Sequence, residues 1–271
     1  MKKNILCIIL LLFSLTTFIV YSKRKEALTD STPPVLYCDS DTITAKVEEI
    51  TDDFLLSGVT AKDDRCGDVT DSIVVQSISN FIKENRVIVT YAAVDDSNNV
   101  GRLERTLIYE NYTAPKFSLD RPLLYPVGTN IKFLNNIHAT SSIDGDISTQ
   151  IRYGLENLLD NNAPASYPIE FRVTDSNGKT SYLNTHVVIY NNTYTGIDIN
   201  LKKYIVYIRK DSEFTEQDAI DNIKSISEEV DSEPIITFDV DTKTPGTYYV
   251  DYKVHSDNAS GMSRLIVVVE D

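Results

Sequence analysis

The sequence of 271 residues has no tryptophan, two methionines, three histidines and three cysteines. Enzyme and metal sites that use histidine or cysteine need these residues at characteristic spacings, and no histidine here pairs with a cysteine in that way. The G-x-S-x-G, H-E-x-x-H and phosphate-binding glycine motifs do not occur either. The sequence therefore predicts that the protein is not an enzyme and has no cofactor, apart from a calcium hypothesis that is developed below.

Basic residues are few compared with acidic ones. The chain has 26 lysines and arginines against 40 aspartates and glutamates, which gives a net charge of −14. An acidic surface repels phosphate groups, and it cannot gain the counterion release that drives binding to nucleic acids. The composition therefore excludes nucleic acid as an expected partner and predicts a well-solvated surface.

One long uncharged, apolar run occurs, at residues 5–21. As a helix this run would span about 26 Å, close to the thickness of the hydrocarbon core of a bilayer. The run is longer than the apolar part of a usual cleaved signal, and small residues suitable for cleavage are poorly placed after it. We therefore predict that residues 1–26 form a single-pass signal anchor with the body outside the cell. Secretion after signal cleavage is the alternative.

Beyond a polar, proline-ending linker at residues 27–33, a pattern recurs at a spacing of about 80 residues. Residues 58–73 and 136–151 have a Gly-Asp pair at the same internal position. Alternating apolar strands follow at residues 87–95, 167–175 and 248–254, and each leads through a polar turn into a final apolar strand. The repetition indicates three units, each closed by a β-hairpin.

Short strands and turns without βαβ alternation predict an all-β protein with three tandem immunoglobulin-like β-sandwich domains after the transmembrane helix. The predicted domains cover residues 34–111, 112–192 and 194–271. The third, divergent domain is also predicted to contain a short helix at about residues 216–229, capped by Thr215. Placed end to end, three sandwiches would form a rod of about 80 to 100 Å.

The motifs of the first repeat are Pro33-Pro34-Val35, the segment 60–70 with its Gly-Asp pair, and the strand at 89–95. These residues resemble the bacterial Ig-like domain of the pesticidal-crystal-protein type, which is related to the hyalin repeat. The second repeat shows the same resemblance, with Asp144 where the first has Cys66, and the third shows it weakly. The resemblance implies an extracellular adhesive or spacer module, and it specifies a fold and not a ligand.

The resemblance also implies a disulfide. Cys38 and Cys66 are the only cysteines after the N-terminal apolar run. They occupy positions similar to the paired cysteines of the hyalin repeat, and a bond between them would require an oxidising compartment.

Calcium is the metal that the acidic residues of the first repeat suggest. Asp63, Asp64 and Asp68 lie in one loop, and Asp95 and Asp96 lie in a turn that we expect at the same end of the sandwich. Carboxylate oxygens at this density suit Ca²⁺. However, no D-x-D-x-D-G loop is present, and aspartate is an ordinary turn residue, so the sequence favours the turn interpretation.

Taken together, these features predict a non-catalytic cell-surface spacer, adhesion or binding module whose partner is an extracellular protein or glycan. Three alternatives stay open, namely a calcium-dependent adhesin, a carbohydrate-binding accessory protein and a scaffold subunit of a membrane complex. We expect the partner to contact the irregular third domain, because binding residues are concentrated on exposed loops.

Overall fold

A computed structural model describes residues 2–28, 30–155, 158–191, 196–227 and 233–271 of the chain, and for residues 2–8 and 26–28 it describes the backbone alone. The protein forms two compact units, Met1–Tyr112 and Thr113–Asp271. The predicted boundary between the second and third domains, at residues 192–194, falls outside the described residues.

The chain begins with the helix α1, Lys2–Leu28. Its apolar side chains between Ile9 and Tyr21 are exposed. Within the described part of the chain, no helix has both the length and the apolar character needed to cross a membrane. The signal anchor therefore stays a prediction.

The first sandwich follows α1 and has two sheets. Its elements are β1 (Val35–Cys38), β2 (Thr42–Ala45), α2 (Asp52–Leu56), β3 (Val59–Asp63), β4 (Gly67–Asp68), β5 (Val74–Ile78), β6 (Arg86–Val94) and β7 (Val100–Tyr109). One sheet has the order β1-β3-β4 and the other the order β2-β7-β6-β5. All neighbouring strands are antiparallel except β2 and β7. Alternate residues of β3 and β6 are buried, as expected for strands with one face toward a core.

The second sandwich repeats this topology. Its strands are β8 (Lys116–Leu119), β9 (Leu124–Pro126), β10 (Ile137–Ser141), β11 (Gly145–Asp146), β12 (Arg152–Leu155), β13 (Ala165–Thr174) and β14 (Thr180–Tyr190). They form the sheets β11-β10-β8 and β12-β13-β14-β9, with β9 parallel to β14. The helix α2 has no counterpart here, and a short 3₁₀ turn at Phe133–Asn135 precedes β10 instead.

The third sandwich keeps the larger sheet and has a reduced smaller one. Its elements are β15 (Ile199–Leu201), β16 (Ile205–Arg209), α3 (Glu216–Asp221), β17 (Ile223–Ile226), β18 (Ile235–Asp239), β19 (Gly246–His255) and β20 (Ser260–Glu270). The larger sheet has the order β16-β20-β19-β18, with β16 parallel to β20, and the smaller sheet is β15-β17. The prediction of β-sandwich domains built on one repeated pattern is thus confirmed at the level of the sheets.

The helix predicted in the third domain is shorter than expected. Thr215 caps it as predicted, because its side chain accepts a hydrogen bond from the backbone of Asp218. However, α3 ends at Asp221, and Ile223 and Ile226 belong to β17, which pairs with β15. The isoleucines that suggested a helical face are β-branched residues, which are also common in strands. Pairing of β17 with β15 favours the strand over the helix at these positions. Residues 228–229 of the predicted helix lie outside the described residues.

The second and third sandwiches share one continuous core. Buried residues of both belong to the same hydrophobic cluster, including Phe117, Phe171, Tyr252 and Leu265. Polar contacts also join strand residues of the two sandwiches. An end-to-end arrangement would place only terminal loops in contact, so the predicted rod is wrong for this pair, and the two domains form one block.

Candidate functional site

The turn between β3 and β4 is built around the carboxylate of Asp63. Its Oδ1 accepts hydrogen bonds from the backbone N–H groups of Arg65, at 2.9 Å, and Cys66, at 2.7 Å. These bonds to the ionised form lower the pKa of Asp63, so the group is a carboxylate at neutral pH. The second oxygen, Oδ2, is buried and has no hydrogen-bond partner.

Asp30 lies beside this turn, although it comes from the linker that precedes β1. Its Oδ1 accepts the backbone N–H of Thr32 at 3.0 Å, which fixes the side chain against its own segment. Asp30 is only 9% exposed, and its Oδ2, like that of Asp63, is buried without a hydrogen-bond partner. No sequence pattern pointed to Asp30, because a linker rich in Ser, Thr and Pro is expected to be solvated.

Three carboxylates meet at this point of the first sandwich. One oxygen each from Asp30, Asp63 and Asp64 lies within 4.8 Å of the other two. Asp63 is 7% exposed, whereas Asp64 is exposed to solvent. Buried like charges at this separation repel one another and lose hydration, so the arrangement is costly unless a cation compensates for it. We refer to Asp30, Asp63 and Asp64 as the carboxylate cluster.

The other predicted calcium ligands do not belong to the carboxylate cluster. Asp68 is exposed and accepts the backbone N–H of Thr70 at 3.0 Å, which makes it a turn residue. Asp95 is buried, and both of its oxygens accept hydrogen bonds from Asn99, one from the backbone and one from the side chain. Asp96 is exposed, and its backbone lies beside the thiol of Cys66.

The predicted disulfide does not form, and the strand register explains why. Cys38 lies opposite Val59 at one end of the β1–β3 ladder, whereas Cys66 lies beyond Asp63 at the other end. A strand advances about 3.3 Å per residue, so β3 alone separates the two positions by roughly 13 Å. A disulfide requires Cα atoms within about 7 Å of each other. Both cysteines are free thiols, and the prediction of a bond between them is wrong for this fold.

The second sandwich contains the same turn with neutral residues. Ser141 occupies the position of Asp63, and its Oγ accepts the backbone N–H groups of Ile143 and Asp144, each at 3.1 Å. Gly145 follows with a positive φ of 70°, and Gly67 has 78° at the matching position. The repeat therefore builds one backbone turn with either a hydroxyl or a carboxylate.

The residues just before the first strand of a sandwich are its entry segment. In the second sandwich, a hydroxyl group attaches the entry segment to the turn between β10 and β11. Ser142, at the position of Asp64, accepts the backbone N–H of Thr113 at 3.2 Å and donates to its carbonyl at 2.9 Å. Thr113 lies just before β8, as Thr32 lies just before β1. In the second sandwich, direct hydrogen bonds thus hold the entry segment to the turn.

The described residues of the second unit form two open clefts where the second and third sandwiches meet. The first has a volume of about 680 Å³. Its wall combines tyrosine rings with amide and charged side chains, among them Tyr125, Tyr190, Tyr204, Asn130, Lys132 and Asp198. The second cleft, of about 720 Å³, includes His186, whose Nδ1 lies 3.0 Å from the hydroxyl of Tyr249. Both clefts offer hydrogen-bonding groups beside aromatic surface.

No known protein-family profile matches the sequence. A protein of Acholeplasma phage L2, described as an uncharacterized 81.3 kDa protein, is 25% identical over 194 residues. The match covers 69% of this chain and 25% of the phage protein, so the chain spans about a quarter of the length of that relative.

Two solved structures that match the chain do so at low TM-score and low identity. The M60 catalytic domain of Clostridium perfringens ZmpB, solved with its CBM51-1 and CBM51-2 domains, matches with a TM-score of 0.27 and 11% identity, over 90% of this chain and 43% of that one. Drosophila N-cadherin EC1-4 matches with a TM-score of 0.22 and 13% identity, over 90% and 76% of the two chains. Similarity at this level assigns neither a domain arrangement nor a ligand, and the fold rests on the strand pairing described above.

Proposed function

We propose that the protein is a non-catalytic display and binding module, which α1 holds at the cell membrane with the sandwiches outside the cell. The observation that carries this proposal is the block formed by the second and third sandwiches. Because these two domains share one core, they present the clefts between them as preformed surfaces. A preformed concave surface with a few placed polar groups is the usual form of a ligand site.

The chemistry of the first cleft favours a glycan as the ligand. Tyr125 and Tyr190 offer partly buried aromatic rings, and Asn130, Lys132 and Asp198 offer hydrogen-bonding groups around them. Sugars present both apolar faces and rows of hydroxyl groups, so they are recognised by aromatic surface flanked by amides and charges. The net charge of −14 disfavours anionic polymers such as nucleic acids and favours neutral or amino sugars.

A glycan array probed with the full chain tests this proposal. The double variant Asn130→Ala/Lys132→Ala removes two exposed groups from the first cleft, and Glu170→Ala/Asn184→Ala removes two from the second cleft as a matched control. We expect the first variant to lose binding by about tenfold or more, since it removes two hydrogen-bonding groups, and the control to keep it. Binding that survives in both variants would contradict the proposed site, and hydrolysis of an arrayed glycan would contradict the non-catalytic role.

The proposed membrane attachment needs a separate measurement. Intact-mass analysis of the membrane-extracted protein should give the mass of the full chain, because the run at residues 5–21 is a poor substrate for signal cleavage. Protease added to intact cells should digest the sandwiches. A mature N-terminus near Lys23 would contradict the anchor, and protection from the protease would contradict the orientation.

A further inference from the structure

We propose that Asp30, Asp63 and Asp64 bind one Ca²⁺ ion, and that the ion fastens the segment after α1 to the first sandwich. This inference does not depend on the proposed function, because the carboxylate cluster lies in the first unit and the clefts lie in the second.

Two buried oxygens of the carboxylate cluster have no hydrogen bond. Asp30 and Asp63 are each more than nine-tenths buried, and Oδ2 of each has no hydrogen-bond partner. Buried carboxylate oxygens almost always have a donor or a metal ion, since leaving them without one costs several kcal/mol. The Oδ1 atoms already accept backbone N–H groups, so both side chains are fixed with the second oxygen left available.

The described residues offer the carboxylate cluster no basic partner. Oδ1 of Asp63 accepts only backbone N–H groups, those of Cys66 and Arg65. None of the ion pairs among the described residues involves Asp30, Asp63 or Asp64. A multivalent cation interacts with all three carboxylates at once, and this is the compensation that their separation allows.

In the second sandwich, the corresponding turn and entry segment are held together by neutral groups. There Ser141 builds the turn, and Ser142 holds the entry segment through two hydrogen bonds with Thr113. In the first sandwich, Asp63 and Asp64 replace these hydroxyls, and Asp30 adds a third carboxylate from the entry segment. A carboxylate cannot donate to a backbone carbonyl as Ser142 does, and the N–H of Thr32 is bonded to Asp30 in its own segment. An ion between the carboxylates would supply the attachment instead.

Calcium fits the carboxylate cluster better than magnesium. Ca²⁺ accepts six to eight oxygens in irregular geometry, whereas Mg²⁺ requires a near-ideal octahedron and keeps most of its water. Three carboxylates from two separate segments provide an irregular set, and the exposed Asp64 leaves one side open for water ligands. Because the site supplies few protein ligands, we expect a dissociation constant of about 10⁻⁴ to 10⁻³ M, in the range of extracellular modules.

A bound ion would shorten the free connection between α1 and the sandwich. The helix ends at Leu28, and Asp30 follows almost immediately in the sequence. With Asp30 held at the β3–β4 turn, the first sandwich would be anchored close to the end of the helix, instead of at the end of a solvated linker. Calcium would in this way control how freely the first sandwich moves relative to α1.

The decisive experiment compares the full chain with a variant that copies the second sandwich. Asp63→Ser/Asp64→Ser replaces the two aspartates with the residues found at positions 141 and 142, so the turn keeps its hydrogen bonds. Ca²⁺ binding is measured by isothermal titration calorimetry, and thermal unfolding of the first unit is followed in EDTA and in Ca²⁺. Asp68→Asn, in the same loop but outside the carboxylate cluster, is the matched control.

For the unmodified chain we expect one Ca²⁺ per molecule. At about ten times the dissociation constant, the melting temperature of the first unit should rise by roughly 5 to 10 °C, because the ion binds the folded state. Asp68→Asn should respond in the same way. The Ser/Ser variant should lose binding by more than tenfold and should melt at the same temperature in EDTA and in Ca²⁺, and Asp30→Asn should weaken binding.

The results that would overturn the proposal are equally specific. They are the absence of a binding heat with equal melting temperatures for the unmodified chain, Mg²⁺ binding as tightly as Ca²⁺, and calcium binding that survives in the Ser/Ser variant. A Ser/Ser variant that fails to fold would leave Asp30→Asn as the test, because its amide keeps an oxygen for Thr32 and loses the charge. Unchanged calcium affinity in Asp30→Asn would then contradict the site.

Discussion

The first sandwich forms a unit of its own, whereas the second and third sandwiches are joined into one unit, although the larger sheets of all three have matching strand orders. One difference lies in the outward-facing residues of the opening strands. Val35 and Tyr37 on β1 are more than half exposed. On β8, the matching Lys116 lies over the ring of Tyr207 in the third sandwich and pairs with Glu270 at 3.1 Å. The repeated core residues set the fold, and contacts of the opening strand add to the shared core that joins the second and third sandwiches.

The largest effect that we predict comes from removing the tyrosine between the second and third sandwiches. Tyr207 accepts the backbone N–H of Phe117 at 2.8 Å, and its ring lies beneath Lys116. Tyr207→Ala should destabilise the second unit by about 3 kcal/mol, because it deletes a largely buried ring and leaves an N–H group without an acceptor. Calorimetry should show the second and third sandwiches unfolding separately in the variant and together in the unmodified chain.

Tyr182→Ala is the matched control for this variant, since Tyr182 is 56% exposed on β14. Its melting profile should be unchanged. A single, unshifted transition of the second unit in Tyr207→Ala would show that the shared core, and not this contact, joins the two sandwiches.

A second prediction concerns two glycines at matching strand positions, one in each unit. A Cβ atom on Gly101 of β7 would lie 1.9 Å from the carbonyl oxygen of Pro34, and one on Gly261 of β20 would lie 2.3 Å from that of Ile197. Each final strand therefore approaches the backbone that leads into its own sandwich. Gly101→Ala should destabilise the first unit, and Gly261→Ala the second, by about 2 to 3 kcal/mol each, because backbone must move to admit the methyl group.

Urea unfolding with a probe in each unit measures both effects. Gly154→Ala is the control, since an added Cβ there would meet no atom within 4 Å. If Gly101→Ala lowered the stability of both units equally, the division of the chain into two independent units would be wrong.

The sequence predicted the repeated sandwiches well, because strand alternation and turn residues are local signals. It failed where distant segments decide the structure. Asp30 lies in a linker whose composition suggests a solvated chain, yet it is buried, with a carboxylate oxygen within 4.8 Å of one of Asp63. The Cys38–Cys66 pair matched a family pattern, but the β1–β3 register places the two residues at opposite ends of a strand. Likewise, the shared core of the second and third sandwiches depends on faces that periodicity alone cannot pair.

A third prediction concerns the stability of the second unit at alkaline pH. Burial raises the pKa of Tyr207 and of Tyr252, both in the second unit, from 10.0 to about 12. A folded-state pKa above the unfolded value means that the folded protein retains the proton longer, so this stability is complete below about pH 10 and is lost as the pH rises toward 12. At pH 11 the loss should be about 1 kcal/mol for each tyrosine.

The measurement is the free energy of unfolding of the second unit between about pH 9 and pH 11, in the unmodified chain and in Tyr207→Phe. The variant lacks one ionisable group, so its stability should fall less steeply with pH. Equal slopes would show that Tyr207 does not titrate with a raised pKa.

The smallest predicted effects come from two buried hydroxyl groups at matching strand positions. Tyr91 donates to the carbonyl oxygen of Leu55 at the end of α2, at 2.8 Å, and Tyr252 donates to that of Ala219 in α3, at 2.9 Å. Both side chains are fully buried. The second sandwich has Phe171 at this position, with no helix opposite it. Its ring packs edge-on against the ring of Phe133 instead, with 5.7 Å between the ring centroids.

Replacement of either tyrosine by phenylalanine should therefore preserve the fold and cost only the hydrogen bond. The carbonyl of Ala219 still accepts the backbone N–H of Asn222 at 3.2 Å, which lessens the loss in Tyr252→Phe. We expect about 1 kcal/mol for Tyr91→Phe and about 0.5 kcal/mol for Tyr252→Phe, by denaturant unfolding of each unit. Phe171 shows that the strand position accepts a ring without a hydroxyl, so neither variant should unfold. A larger cost for Tyr252→Phe than for Tyr91→Phe would contradict this ranking and would mean that α3 depends on its tyrosine more than α2 does.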